Sequence, residues 1–120
     1  MLYLTISLIS TLYGIDTSLA MKLAKIESNM NPDAVSRSND RGIFQLNSRF
    51  YKFHNPKWIF NPNINAHLAM KTLQNLKKNC KHKLHNSYVI CYNLGTSGAK
   101  KIKKATGQTY YKKITYAWNH

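Results

Sequence analysis

The sequence predicts a mainly α, α+β single-domain protein with an irregular or short-hairpin central segment. Three observations carry that prediction. Apolar residues recur at helical spacing through the first 30 positions. Asn, Ser, Pro, Gly and aromatic residues crowd positions 31–62, a composition of turns rather than of regular elements. Helical patterning resumes from Asn63 onward. The 120 residues fit one domain, 1–120, without internal repeat or low-complexity linker. A hydrophobic content of 43% with 12% aromatics belongs to a folded globule.

The elements follow in order. Residues 1–13 are apolar but too short to span a bilayer as a helix. They lack a basic leading segment and a small-x-small cleavage site. A first core helix over 2–13 is therefore expected, with a trimmed export signal as the alternative. Asp16 supplies an N-cap for a helix over 17–30, where Leu19, Leu23, Ile26 and Met30 share one side and Asn31-Pro32 ends the run. The irregular stretch 31–62 follows. Asn63 caps a helix reaching about Lys78. Residues 81–86 read as a polar basic loop. A short helix over 87–94 stops at Gly95. Another over 97–105 ends at Gly107, and an amphipathic helix over 109–118 closes the chain.

Charge is the strongest compositional signal. Eighteen Lys and Arg face four carboxylates, for a net charge of +14. Such a surface attracts polyanions: nucleic acid, anionic lipid or acidic wall polymer. No zinc-finger, basic-zipper or RNA-binding aromatic motif is present, so no specific nucleic-acid partner is expected. The lysines lie mainly at 77–83 and 100–113, and a solvated basic face accounts for them. The segment Lys81-His82-Lys83-Leu84-His85 does not complete a metal-ligand set and reads as a solvated loop, so neither metal nor cofactor is expected. Cys80 and Cys91 can pair or remain free thiols.

Glu27 is the one glutamate in the chain. At about 100° per residue it falls inside the apolar arc that Ala20 and Ala24 widen, while Lys22 and Lys25 point away. A carboxylic acid on an apolar helix face resists ionisation, which raises its pKa and suits a general acid working near neutral pH. The competing reading is a glutamate at a helix end reaching round to solvent.

Four pieces then stand in order: Ile26-Glu27-Ser28-Asn29-Met30-Asn31-Pro32; Ser38-Asn39-Asp40-Arg41-Gly42-Ile43-Phe44-Gln45-Leu46-Asn47-Ser48-Arg49; Asn61-Pro62-Asn63-Ile64-Asn65-Ala66; and Cys91-Tyr92-Asn93-Leu94-Gly95, followed by Tyr110-Tyr111. Together they resemble the lysozyme-like superfamily, most closely the soluble lytic transglycosylase catalytic domain, whose pattern runs Glu-Ser, Asn-Pro, Gly-x-x-Gln, Asn-Pro…Asn-Ile, Tyr-Asn-x-Gly. The resemblance covers roughly residues 10–118. It implies a lysozyme-like fold and cleavage of peptidoglycan glycan strands between N-acetylmuramic acid and N-acetylglucosamine. It assigns Glu27 as acid and then base, giving 1,6-anhydro-muramoyl ends. It implies that Ser28 supports the site or its helix end, that Gly42 allows close substrate approach, and that Gln45 binds sugar. Tyr92 and Asn93 would line the cleft, and Tyr110 would bring a hydroxyl near the catalytic carboxylate. The setting implied is the bacterial cell envelope or periplasm, or a virion, with a secretion or phage assembly as partner.

The sequence departs from the pattern at Cys91, His67 and Asn29, where alanine, a small residue and glycine are usual. Asp40 is the departure that bears on chemistry. The segment Asp40-Arg-Gly-Ile-Phe-Gln-Leu-Asn-Ser-Arg49 resembles the animal-type lysozyme stretch carrying a second catalytic carboxylate. Asp40 is thus either that carboxylate, making a glycoside hydrolase with Glu27, or a turn residue in Ser-Asn-Asp-Arg-Gly. A non-catalytic wall-binding module is the reading from another class. Tyr51, Trp58 and Phe60 can stack on sugars, but core filling is the default for each.

Overall fold

The computed structural model describes residues 1–79 and Tyr92. The chain forms two compact units, Met1–Met70 and Lys71–His120. In the first, helix α1 spans Leu2–Leu12 and α2 spans Thr17–Ser28. A minimal antiparallel pair follows, β1 (Asp40–Arg41) and β2 (Leu46–Asn47), then a 3-10 helix, Pro56–Phe60. Helix α3, Pro62–Asn79, begins in this unit and ends in the second. The mainly helical architecture with a short central hairpin is the one the sequence predicts. The elements expected over 81–86, 87–94, 97–105 and 109–118, and both cysteines, lie outside the described residues.

Helix α1 packs on α2 through Ile6, Ile9 and Ser10. Its opposite face is not core: Leu4, Leu8 and Leu12 are exposed. The buried Ser10 hydroxyl is satisfied by Thr17 Oγ1 at 3.0 Å and Ser7 O at 3.1 Å. Tyr13 Oη lies 3.0 Å from His67 Nδ1, so the histidine departure ties α3 to the end of α1. Gly14 turns the chain at φ +69°, a left-handed conformation that favours glycine.

Asp16 caps α2 as expected, its Oδ1 accepting from the Leu19 N–H at 3.0 Å. The helix stops at Ser28, before the predicted Met30. Asn29 and Met30 both take left-handed backbones, and the Asn29 and Met30 N–H groups close the last turn onto Lys25 O and Ala24 O. The Asn-Pro stop is thus anticipated by an αL cap, which Asn adopts more readily than most residues.

Two further boundaries differ from expectation. A 3-10 helix forms within the segment expected to be irregular, because Asn55 Oδ1 accepts from the Lys57 N–H at 3.0 Å and Pro56 presets the first turn. It buries Ile59 and leaves Trp58 47% exposed, so Trp58 is not core filling. Tyr51 and Phe60 are also only half-buried. Helix α3 is capped by Asn61 rather than Asn63: Asn61 Oδ1 accepts from the N–H groups of Asn63 at 2.9 Å and Ile64 at 3.2 Å. Pro62, lacking an N–H and fixed in φ, takes the first helical position.

The core of the first unit gathers Leu19, Leu23 and Ala24 from α2, Ile43, Phe44 and Leu46 from the hairpin, Ile59, and Ala66, Ala69 and Met70 from α3. Of the second unit, the end of α3 buries Leu73, and Tyr92 is helical and half-buried. No helix among the described residues is long and apolar enough to cross a membrane.

Candidate active site

Glu27 occupies the last turn of α2 and is half-buried, between Ile26 and Ser28. Its helix end is fixed from outside the helix. The Ser28 hydroxyl, with one proton, has two carbonyls in reach: Ile43 O at 2.7 Å and Ala24 O at 3.1 Å. The shorter contact is the stronger, so the proton goes to Ile43 O. This bond crosses from α2 to the hairpin turn and pins the residue after Glu27 to the segment Gly42-Ile43-Phe44-Gln45. Ser28 thereby joins the end of α2 to the hairpin turn.

The turn itself is built around two unusual backbones. Gly42 has φ +83° and Gln45 has φ +55°. The Gln45 N–H closes the turn onto Gly42 O at 3.1 Å, and its side-chain amide Nε2 donates to Gly42 O at 3.0 Å and Ala34 O at 3.2 Å. Both amide hydrogens are thus spent on backbone, which leaves Oε1 as the group that Gln45 can offer a ligand.

Gly42 was expected to admit substrate; the structure gives the glycine another reason. A Cβ there would lie 2.9 Å from both Asn65 Cγ and Ile59 O, and closer still to Asn65 Nδ2. Asn65 fills that space. It is fully buried, its Oδ1 accepts from the Phe44 N–H at 2.9 Å, and its Nδ2 donates to Ile59 O at 2.8 Å and Arg41 O at 3.1 Å. One amide thereby joins α3, the 3-10 helix and the hairpin. In the sequence Asn65 stands in the Asn61–Ala66 motif with no role assigned to it. The signal was available: Asn65 lies on the buried stripe of α3 with Ala66, Ala69, Met70 and Leu73. A polar residue on an apolar stripe, the argument that singles out Glu27, applies equally to it.

Asp40 is half-buried in β1, paired across the hairpin with Asn47. Its Oδ1 accepts from Asn47 Nδ2 at 3.0 Å, and its Oδ2 from the Ser36 hydroxyl at 3.4 Å. Asn47 Nδ2 also donates to Ser38 O at 3.0 Å, while Ser36 Oγ accepts from the Ser38 and Asp40 N–H groups. The carboxylate is the centre of a local network that closes the 36–40 turn against β2.

Tyr92 is the one described residue of the Tyr-Asn pair; Asn93 and Tyr110 lie outside the described residues. Among the described residues no group of three or more His, Cys, Asp or Glu could hold a metal ion.

A family model described as the transglycosylase SLT domain matches residues 6–115. No curated protein matches the chain. The match runs through Glu27-Ser28, the Gly42–Gln45 turn and the Asn61-Pro62 cap, and it implies peptidoglycan as substrate and lytic transglycosylase activity at the level of the family. With a lysozyme-like, mainly helical fold and this match over most of its length, the chain belongs to the transglycosylase SLT domain family, a lytic transglycosylase catalytic domain of the lysozyme-like superfamily.

Proposed function

We propose that this protein cleaves the β-1,4 bond between N-acetylmuramic acid and N-acetylglucosamine with Glu27 as its one acid/base residue, leaving 1,6-anhydro-muramoyl ends. Glu27 protonates the glycosidic oxygen as the bond to the muramoyl anomeric carbon breaks. The oxocarbenium-like centre is stabilised by the substrate's own N-acetyl group, so no protein nucleophile is needed. Glu27, now a carboxylate, removes the proton of the muramoyl 6-hydroxyl. That oxygen closes on the anomeric carbon, water is neither consumed nor released, and Glu27 is returned protonated. Gln45 Oε1 accepts from a sugar hydroxyl or amide. The reaction takes place at the bacterial cell envelope, where this polymer lies.

The observation that carries the single-carboxylate reading is the engagement of Asp40. Both its oxygens accept bonds within the hairpin, from Asn47 and Ser36. Those bonds account for Asp40 as a structural residue of the turn, so its presence calls for no second catalytic carboxylate. The test is mass analysis of digested peptidoglycan. Anhydro ends, lighter than reducing ends by one water, are expected from wild type and from Asp40→Asn alike. Reducing ends from wild type, lost or converted to anhydro ends in Asp40→Asn, would instead make the protein a lysozyme-type hydrolase.

The surplus of 18 cationic over 4 anionic side chains supports retention on an anionic wall. Raising ionic strength from about 0.01 M to 1 M shortens the screening length from about 30 Å to about 3 Å. Co-sedimentation with peptidoglycan is expected to fall markedly across that range. Salt-independent retention would mean that uncharged sugar contacts hold the protein.

A further inference from the structure

We propose that a cavity on the Arg41 side of the hairpin binds a free carboxylate carried on a small apolar body. In peptidoglycan such groups are the ends of stem peptides and the lactyl groups of peptide-free muramic acid. The choice of peptidoglycan as source rests on the function proposed above.

The cavity encloses about 260 Å³, just under the range of pockets that take drug-sized ligands, and therefore suited to a residue-sized group. Arg41, Lys52 and Ser48 supply its polar lining; Tyr51, Phe53 and Ile59 supply apolar wall. Neither Glu27 nor Asp40 lines it. Successive strand residues face opposite sides of a hairpin, so Arg41 points away from the side on which Asp40 meets Asn47.

Arg41 is the centre of the inference. Its Nε is buried and has no hydrogen-bond partner. Its guanidinium carbon stands 5.9 Å from the Phe60 ring centroid, a face that holds the group in place without satisfying its N–H donors. Nε is closed to solvent, so the donors that meet a ligand are the terminal Nη groups of the same fork. A guanidinium is a planar fork that matches the two oxygens of a carboxylate. Lys52, exposed at the rim, adds a second positive charge. Ser48 adds a hydroxyl, and the Tyr51, Phe53 and Ile59 walls take an apolar body such as a methyl or a short backbone segment.

The test uses the full chain and probes that lack the bond between N-acetylmuramic acid and N-acetylglucosamine, and the carboxylate probes have no glycosidic bond at all, so their binding succeeds or fails independently of catalysis. Calorimetry is run with N-acetyl-alanyl-alanine, its C-terminal amide, N-acetylmuramic acid, inorganic phosphate and a chitin trisaccharide. At least one of the two carboxylate probes is expected to bind, and whichever is tighter names the source of the carboxylate. If the dipeptide binds, its amide is expected to bind at least tenfold more weakly. The trisaccharide, lacking a carboxylate, is expected to be insensitive to Arg41. Arg41→Met is expected to abolish carboxylate binding, and Arg41→Lys to restore it in part. Lys52→Met is expected to weaken binding about threefold or more at low salt; being exposed, this position tests the idea even if Arg41→Met does not fold. Equal affinity for acid and amide, equal affinity for phosphate and the carboxylates, no binding of either carboxylate, or undiminished binding in Lys52→Met would each overturn the proposal.

Discussion

Glu27→Gln is expected to reduce glycan cleavage by at least about a hundredfold, the usual share of a general acid, while thermal unfolding stays within about 3 °C of wild type. The amide keeps the length and nearly the shape of the carboxylic acid but has no proton to give to the leaving oxygen. Ser28 still bonds to Ile43 O in this variant, so the helix end stays pinned. Glu27→Asp separates chemistry from position. It keeps an acid but withdraws it by one methylene, and a displacement of about 1 Å can cost about a hundredfold. Both variants are therefore expected to be inactive, and both folded. A Glu27→Gln protein that turns over peptidoglycan at the wild-type rate would remove Glu27 from the mechanism.

How much of this could be read before any coordinates follows from the range of the interactions involved. The start of α2 was legible because an N-cap acts within three residues, as Asp16 does on Leu19. The α3 cap was misplaced by two residues: Asn61 and Asn63 are both good caps, and only the proline between them decides. Glu27 was singled out by its scarcity and by the apolar arc around it, and it lies half-buried in the last turn of α2. The engagement of Asp40 was not legible, because Asn47 and Ser36 reach it through a hairpin register that composition does not fix. The packing at Gly42 was not legible for the same reason. What fills the space beside it is Asn65, on another helix, and the 3-10 helix carbonyl of Ile59. The unpaired Nε of Arg41 likewise exists only once β1 has turned that side chain inward.

The largest loss of stability is expected where those distant pieces meet. Asn65→Ala removes an acceptor from the buried Phe44 N–H and a donor from both Arg41 O and Ile59 O. Each buried group left unsatisfied costs about 1–3 kcal/mol, so a loss of about 3–5 kcal/mol is expected, large for a single substitution. Gly42→Ala attacks the same joint from the other side. Its Cβ displaces the Asn65 amide and crowds Ile59 O, on a backbone at φ +83° where an L side chain is strained. A loss of about 3 kcal/mol or more is expected. The two changes share one interaction, so they are not expected to add. With Asn65 already cut to alanine the Gly42→Ala methyl no longer meets an amide, and only the Ile59 carbonyl and the backbone strain remain against it. Denaturant unfolding of the two single variants and the double variant measures this directly. The double variant should be less destabilised than the sum of the singles by about 1 kcal/mol or more. Simple additivity would show that Gly42 and Asn65 act independently, and that the glycine is needed for its backbone angle alone.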